Sequence, residues 1–231
     1  MTESALPGPR ANLELAQAAA DTGEEAQFSR WLELGPDQAP QDSARLFLPI
    51  CGAIGLGRLI AEGRRDLLPR LRASARDPRW RVREGVVLGL QRLGDRDVPG
   101  LIRTMREWMH GGLLEQRAVV AILCEPRLLR DTSAAASVLE LLDHATETVH
   151  RSASRRDPDL RVLRQTLGYG WSVLISALPS QGKPAFERWA TVKDDPDVQW
   201  IVRENLKKAR LRRIDATWVE ALAATVASSN T

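Results

Sequence analysis

Aromatic side chains make up only 5% of this 231-residue chain, and seven of the eleven are Trp. Runs of β-branched and aromatic residues that would build strands are missing, which excludes a sheet protein and leaves a helical one. Two cysteines, Cys51 and Cys124, sit inside apolar helical stretches. They read as buried thiols acting as small hydrophobes and exclude a disulfide framework. Lysine is also rare, with four against 29 arginines. No glycine-rich phosphate loop occurs, because Gly52, Gly55 and Gly57 follow no strand. The most apolar run, Leu46 to Ile60, is interrupted by Pro49 and Arg58. It is too short to span a bilayer, so no membrane partner is expected. No charged and apolar leader of the secretory type opens the chain, so a cytoplasmic location is expected.

What is present is the composition of a folded protein, 43% hydrophobic and 27% charged. The net charge of +3 hides an asymmetry: residues 1–60 sum to −4 and residues 61–231 to +7. A basic C-terminal portion invites a nucleic-acid reading. The competing reading is a GC-rich genome, which favours Arg over Lys at every exposed position.

A five-residue phrase, Trp-x-Val-Arg-Glu, occurs at Trp80–Glu84 and again at Trp200–Glu204. Asp77-Pro78 precedes the first copy and Asp195-Pro196 the second. Weaker copies surround Arg117 and Arg164, the latter after Asp157-Pro158. The four arginines are spaced 34, 47 and 39 residues apart, a spacing typical of stacked helix pairs. Proline tolerates the first turn of a helix, and the Asp before it can cap the exposed amides. Helices are predicted near 43–62, 65–75, 79–94, 97–110, 113–124, 132–151, 159–177, 184–192, 197–211 and 215–226. One interrupted helix, or two short ones, precedes them over 11–34 with a break near Thr22-Gly23. Leu160, Leu163, Leu167, Trp171, Leu174 and Leu178 step by three and four, a helical period that no strand has. The three glycines of 43–62 lower helix stability, and a close approach to another helix would offset that.

Asp77 lies six residues before Arg83, and Asp197 six before Arg203. This spacing resembles that of HEAT repeats, clearest over 65–213. The resemblance implies an all-α, right-handed solenoid of about five antiparallel helix pairs, armadillo-like in architecture. It further implies that Asp77, Arg83, Asp197 and Arg203 form a ladder between repeats. The expected organisation is a disordered leader over 1–10, irregular capping helices over 11–64, HEAT-like repeats over 65–226 and a frayed tail over 227–231.

Such a scaffold points to binding of another protein, with no cofactor and no chemistry of its own. The alternative is duplex nucleic acid. Three basic groups carry it: Arg76–Arg83; Arg151, Arg155, Arg156, Arg161 and Arg164; and Arg203, Lys207, Lys208, Arg210, Arg212 and Arg213. Stacked repeats would align such groups along one edge as a phosphate-tracking stripe. Trp200 among cations suits base stacking as well as packing, and Trp80 shares those two readings. Bacterial HEAT-like solenoids include the DNA alkylation repair glycosylases, which this chain resembles in architecture and basic character. Their aromatic-and-acid catalytic cluster has no counterpart here. The metal-like set Glu140, Asp143, His144, Glu147 and His150 lies opposite the apolar stripe Val138, Leu142, Ala145 and Val149. It is expected to face water rather than a metal.

Overall fold

The computed structural model describes residues 2–227, all of whose regular structure is helical, with no strand among the described residues. The helices are α1 (Leu13–Thr22), α2 (Glu25–Leu32), α3 (Phe47–Ala61), α4 (Leu68–Ser74), α5 (Trp80–Arg96) and α6 (Val98–Met109). They continue with α7 (Leu113–Leu123), α8 (Thr132–Arg151), α9 (Pro158–Ala177), α10 (Pro179–Ala190), α11 (Pro196–Leu206) and α12 (Ala209–Ala227). The chain divides into two compact units, Met1–Arg103 and Thr104–Thr231.

In the first unit α3 is the hub, packed by α1, α2 and α5. Its glycines permit this. A Cβ on Gly57 would lie 2.2 Å from the Cα of Gly89 on α5, and one on Gly52 would lie 2.8 Å from the Phe28 carbonyl oxygen on α2. A Cβ on Gly55 would enter the Phe28 ring. The close approach expected from the glycine content is therefore built twice, once on each side of α3. The stretch Ala44–Ala61 is long and apolar enough to cross a membrane, yet most of it is buried inside the unit. Residues 2–10, expected as a leader, lie against the unit. Leu6 is buried in the cluster of Ala16, Leu46, Ile50 and Val82, and the Arg81 guanidinium donates to the Gly8 carbonyl at 2.8 Å. Asn12 holds the segment as well, donating from its side chain to the Glu3 carbonyl at 3.0 Å and from its amide to the Ser4 carbonyl at 2.9 Å. Of the expected tail, residues 228–231 lie outside the described residues.

In the second unit α9 packs against α7 and α11, while α10 touches α8 and α12. The predicted apolar stripe of α9 is buried throughout. Trp171 is fully buried, donates from Nε1 to Thr146 Oγ1 on α8 at 3.0 Å, and meets the Phe186 ring of α10 at a tilt of 46°. Asn205 of α11 is also fully buried. It accepts from the Ser172 amide and donates to the Leu167 carbonyl, each at 2.8 Å, so a buried amide is satisfied on the α9 backbone.

Asp157 and Asp195 cap α9 and α11 with Pro158 and Pro196 at the first position, as the sequence implies. The Asp77-Pro78 turn differs, because α5 starts at Trp80 with Arg79 at its cap position. Helix α10 begins at Pro179 rather than near 184. Pro184 is tolerated inside it because the amide it lacks would have served Ser180, which is exposed. The predicted helix over 197–211 ends at Leu206, and α12 has an extended residue, Asp215, that caps Trp218 and pairs with Lys183 at 2.6 Å.

Candidate functional site

Within the first basic group Arg79, Arg81 and Arg83 are engaged inside their unit, while Arg76 is exposed. Arg79 is 4% exposed: it grips the Asp77 carboxylate through Nε and Nη2 at 2.8 and 2.6 Å. Its Nη1 donates to the carbonyls of Leu34 and Ala39. Arg83, also buried, donates to the carbonyls of Asp77 and Pro78 at 2.7 and 3.1 Å. The Asp77 side chain thus meets Arg79, and Arg83 fastens the same turn through its backbone. Five rigid donors make a guanidinium suited to holding a loop in this way.

In the second unit Asp197 of α11 pairs with Arg164 of α9 and, at 3.2 Å, with Arg155 of the turn before α9. Arg203 makes no hydrogen bond among the described residues and lines a separate hollow with Lys207, Arg212 and Val219. Asp195, 3% exposed, accepts from Arg155 Nη2 at 2.8 Å and lies 2.8 Å from His150 Nδ1. Burial pushes the Asp195 carboxyl up, but the hydrogen bonds from His150, Arg155 and the Val198 amide outweigh it and hold the group below the usual range. Hydrogen bonding to Asp195 in turn raises Arg155 above its ordinary value. No sequence signal marked Arg155 or His150 as partners of Asp195, because they lie 40 and 45 residues away.

The two copies of the repeated phrase place their tryptophans differently. Trp200 is half-buried against Gly168 of α9, where an added Cβ would meet the ring at 2.8 Å. The Arg164 guanidinium stacks over that ring at 4.6 Å. Trp80 is 47% exposed and carries Arg81 over its face at 4.5 Å. It lines an apolar groove of about 270 Å³ with Leu13, Ile50, Leu88, Pro9 and Arg10. Leu13 is likewise 47% exposed, so two large apolar side chains meet solvent at one place.

Arg155, Arg156, Arg161 and Arg164 surround a hollow of about 320 Å³ at the start of α9, with Asp157, Leu160 and Asp197. Arg156 and Arg161 are exposed and engage no partner among the described residues. The third basic group does not continue this hollow. Lys207, paired with Glu204 at 2.5 Å, and Lys208, Arg210, Arg212 and Arg213 follow the far end of α11. That end is roughly 16 Å along the helix from Asp197. The second and third groups therefore sit at opposite ends of α11 instead of along one edge.

On α8 the stripe Val138, Leu142, Ala145 and Val149 is fully buried, and Glu140 and His144 are exposed. Its acids are held by arginines: Glu140 by Arg106 at 2.7 Å, Glu147 by Arg151, and Asp143 by Arg188 and the Trp189 Nε1 at 2.8 Å. Among the described residues no three His, Cys, Asp or Glu converge as metal ligands would. Burial pushes the Cys51 thiol up to about 12 and raises Cys124 as well, so neither is poised as a nucleophile. No family model, no curated protein and no solved structure matches this chain.

Proposed function

We propose that this chain is a HEAT-like helical-repeat module that binds another protein. The observation that carries the reading is the apolar groove holding Trp80 and Leu13. Large apolar side chains grouped on a surface and rimmed by charge characterise protein contact sites, and Trp is enriched among residues that dominate binding energy. The repeat architecture is supported by the packing of α9 on α7 and α11 and of α10 on α8 and α12, with Arg164 and Asp197 joining successive helix pairs.

The test is affinity capture on purified, immobilised chain. Wild type should retain a defined polypeptide that Trp80→Ala releases while its melting temperature stays unchanged. Equal retention by both forms would count against the groove. Duplex nucleic acid is the second reading, favoured by the exposed cations Arg210, Arg212 and Arg213. A duplex that binds at micromolar concentration, and tenfold or more weaker between 50 and 200 mM salt, would replace the first reading with it.

A further inference from the structure

We propose that the hollow at the start of α9 binds a phosphate monoester carried on a partner polypeptide, with Arg156 and Arg161 as its mobile jaws and Arg155 and Arg164 as its fixed wall. The wall is built before any ligand arrives. Arg155 is tied to Asp195, to Asp197 and to the carbonyls of Val149 and His150. Arg164 is held between Asp197 and the Trp200 ring. Of the carboxylates lining the hollow, Asp197 is held by these two guanidiniums and Asp157 accepts from the Asp159 amide at 2.8 Å. Four guanidiniums stand against Asp157 and Asp197 in the lining and Asp195 behind Arg155, which leaves one positive charge. Arg156 and Arg161 have solvent-facing donors and no partner among the described residues.

Those two unengaged guanidiniums suit a phosphate monoester, which offers three oxygens to paired N–H donors. A volume of about 320 Å³ corresponds to roughly ten waters, enough for the phosphoryl group and the first atoms of its carrier. A nucleic-acid backbone presents a row of monoanionic diesters and needs cations in a row. Here the third basic group lies at the far end of α11 rather than in line with the hollow. The polypeptide carrier rests on the protein-binding reading above; phosphate recognition itself does not.

The experiment is calorimetric titration of the full chain with N-acetyl-phosphoserine amide, inorganic phosphate and dimethyl phosphate. The phosphoserine derivative should saturate at one equivalent with millimolar or better affinity, and dimethyl phosphate should bind at least tenfold more weakly. The double variant Arg156→Gln, Arg161→Gln should lose at least tenfold in affinity with an unchanged melting temperature. The pair Arg210→Gln, Arg213→Gln should bind as wild type does. Absence of saturation by the phosphoserine derivative up to about 10 mM would overturn the proposal. So would equal binding of dimethyl phosphate, or an equal loss in the Arg210/Arg213 pair. Binding of inorganic phosphate without the phosphoserine derivative would overturn the assignment to a polypeptide carrier.

Discussion

Gly57→Ala would place a methyl carbon 2.2 Å from the Cα, 2.3 Å from the carbonyl carbon and 2.4 Å from the oxygen of Gly89. Carbon atoms rest at about 3.5–4.0 Å, so α3 and α5 would have to part by roughly 1.3 Å or more. The obstacle is helix backbone, which has no rotamer to turn away. Overpacking of this kind costs about 1–3 kcal/mol, and a backbone obstacle belongs at the upper end. Alanine is the better helix former by about 1 kcal/mol, which offsets part of the strain. The net expectation is a loss of ~2 kcal/mol, a fall of roughly 5 °C or more in melting temperature. Gly89→Ala meets the Ala53 carbonyl oxygen at 2.7 Å and should behave alike. Combined, the two should cost less than their sum by at least about 0.5 kcal/mol, because the first already separates the helices. Urea unfolding of the single and double variants measures all three values. A melting temperature equal to or above that of wild type for either single variant would show helix propensity, not the α3–α5 contact, to be in control.

Truncating Arg79 strips the guanidinium from Asp77, which keeps only the residue-79 amide, and leaves the Leu34 and Ala39 carbonyls without their donor. Arg79→Ala should therefore cost about 3–5 kcal/mol in urea unfolding. Arg83→Ala, which loses bonds to two carbonyls, should cost about 1–3 kcal/mol, and an equal or larger cost would contradict the geometry. A double-mutant cycle on Arg164→Ala and Asp197→Ala should return a coupling above about 0.5 kcal/mol, and independence of the two would remove the link between α9 and α11. Asp195 has a folded value below its unfolded one of about 3.9, so its contribution is present above that pH and is lost as pH falls through the folded value. Asp195→Asn should lower stability at pH 7 and flatten the loss below about pH 4; an unchanged acid limb in melts from pH 7 to 2 would refute this.

Most helices were legible because their signals are local. Asp157-Pro158 and Asp195-Pro196 mark helix starts through capping chemistry that needs only adjacent residues. The three-and-four stepping of Leu160, Leu163, Leu167, Trp171, Leu174 and Leu178 named a face that is indeed buried. The glycines of α3 announced a close approach, though not its partners. The candidate sites were far less legible. An Asp six residues before an Arg describes spacing along one helix, but a guanidinium on a long stem reaches whatever carboxylate or carbonyl the fold brings near. Arg79 found Leu34 and Ala39, and Arg155 found Asp195.

The sequence by itself determined an all-helical chain and where most of its helices begin, because backbone propensity, proline and side-chain periodicity act within a few residues. Tertiary structure alone decided what each repeated residue does. Two phrases that differ only at their second residue put Trp200 across Gly168, where a missing side chain leaves room for a ring, and left Trp80 half in solvent beside Leu13. It also decided that the second and third basic groups stand at opposite ends of α11, since the charge a surface presents depends on which helix ends are neighbours. Only packing over 30–45 residues of intervening chain sets that.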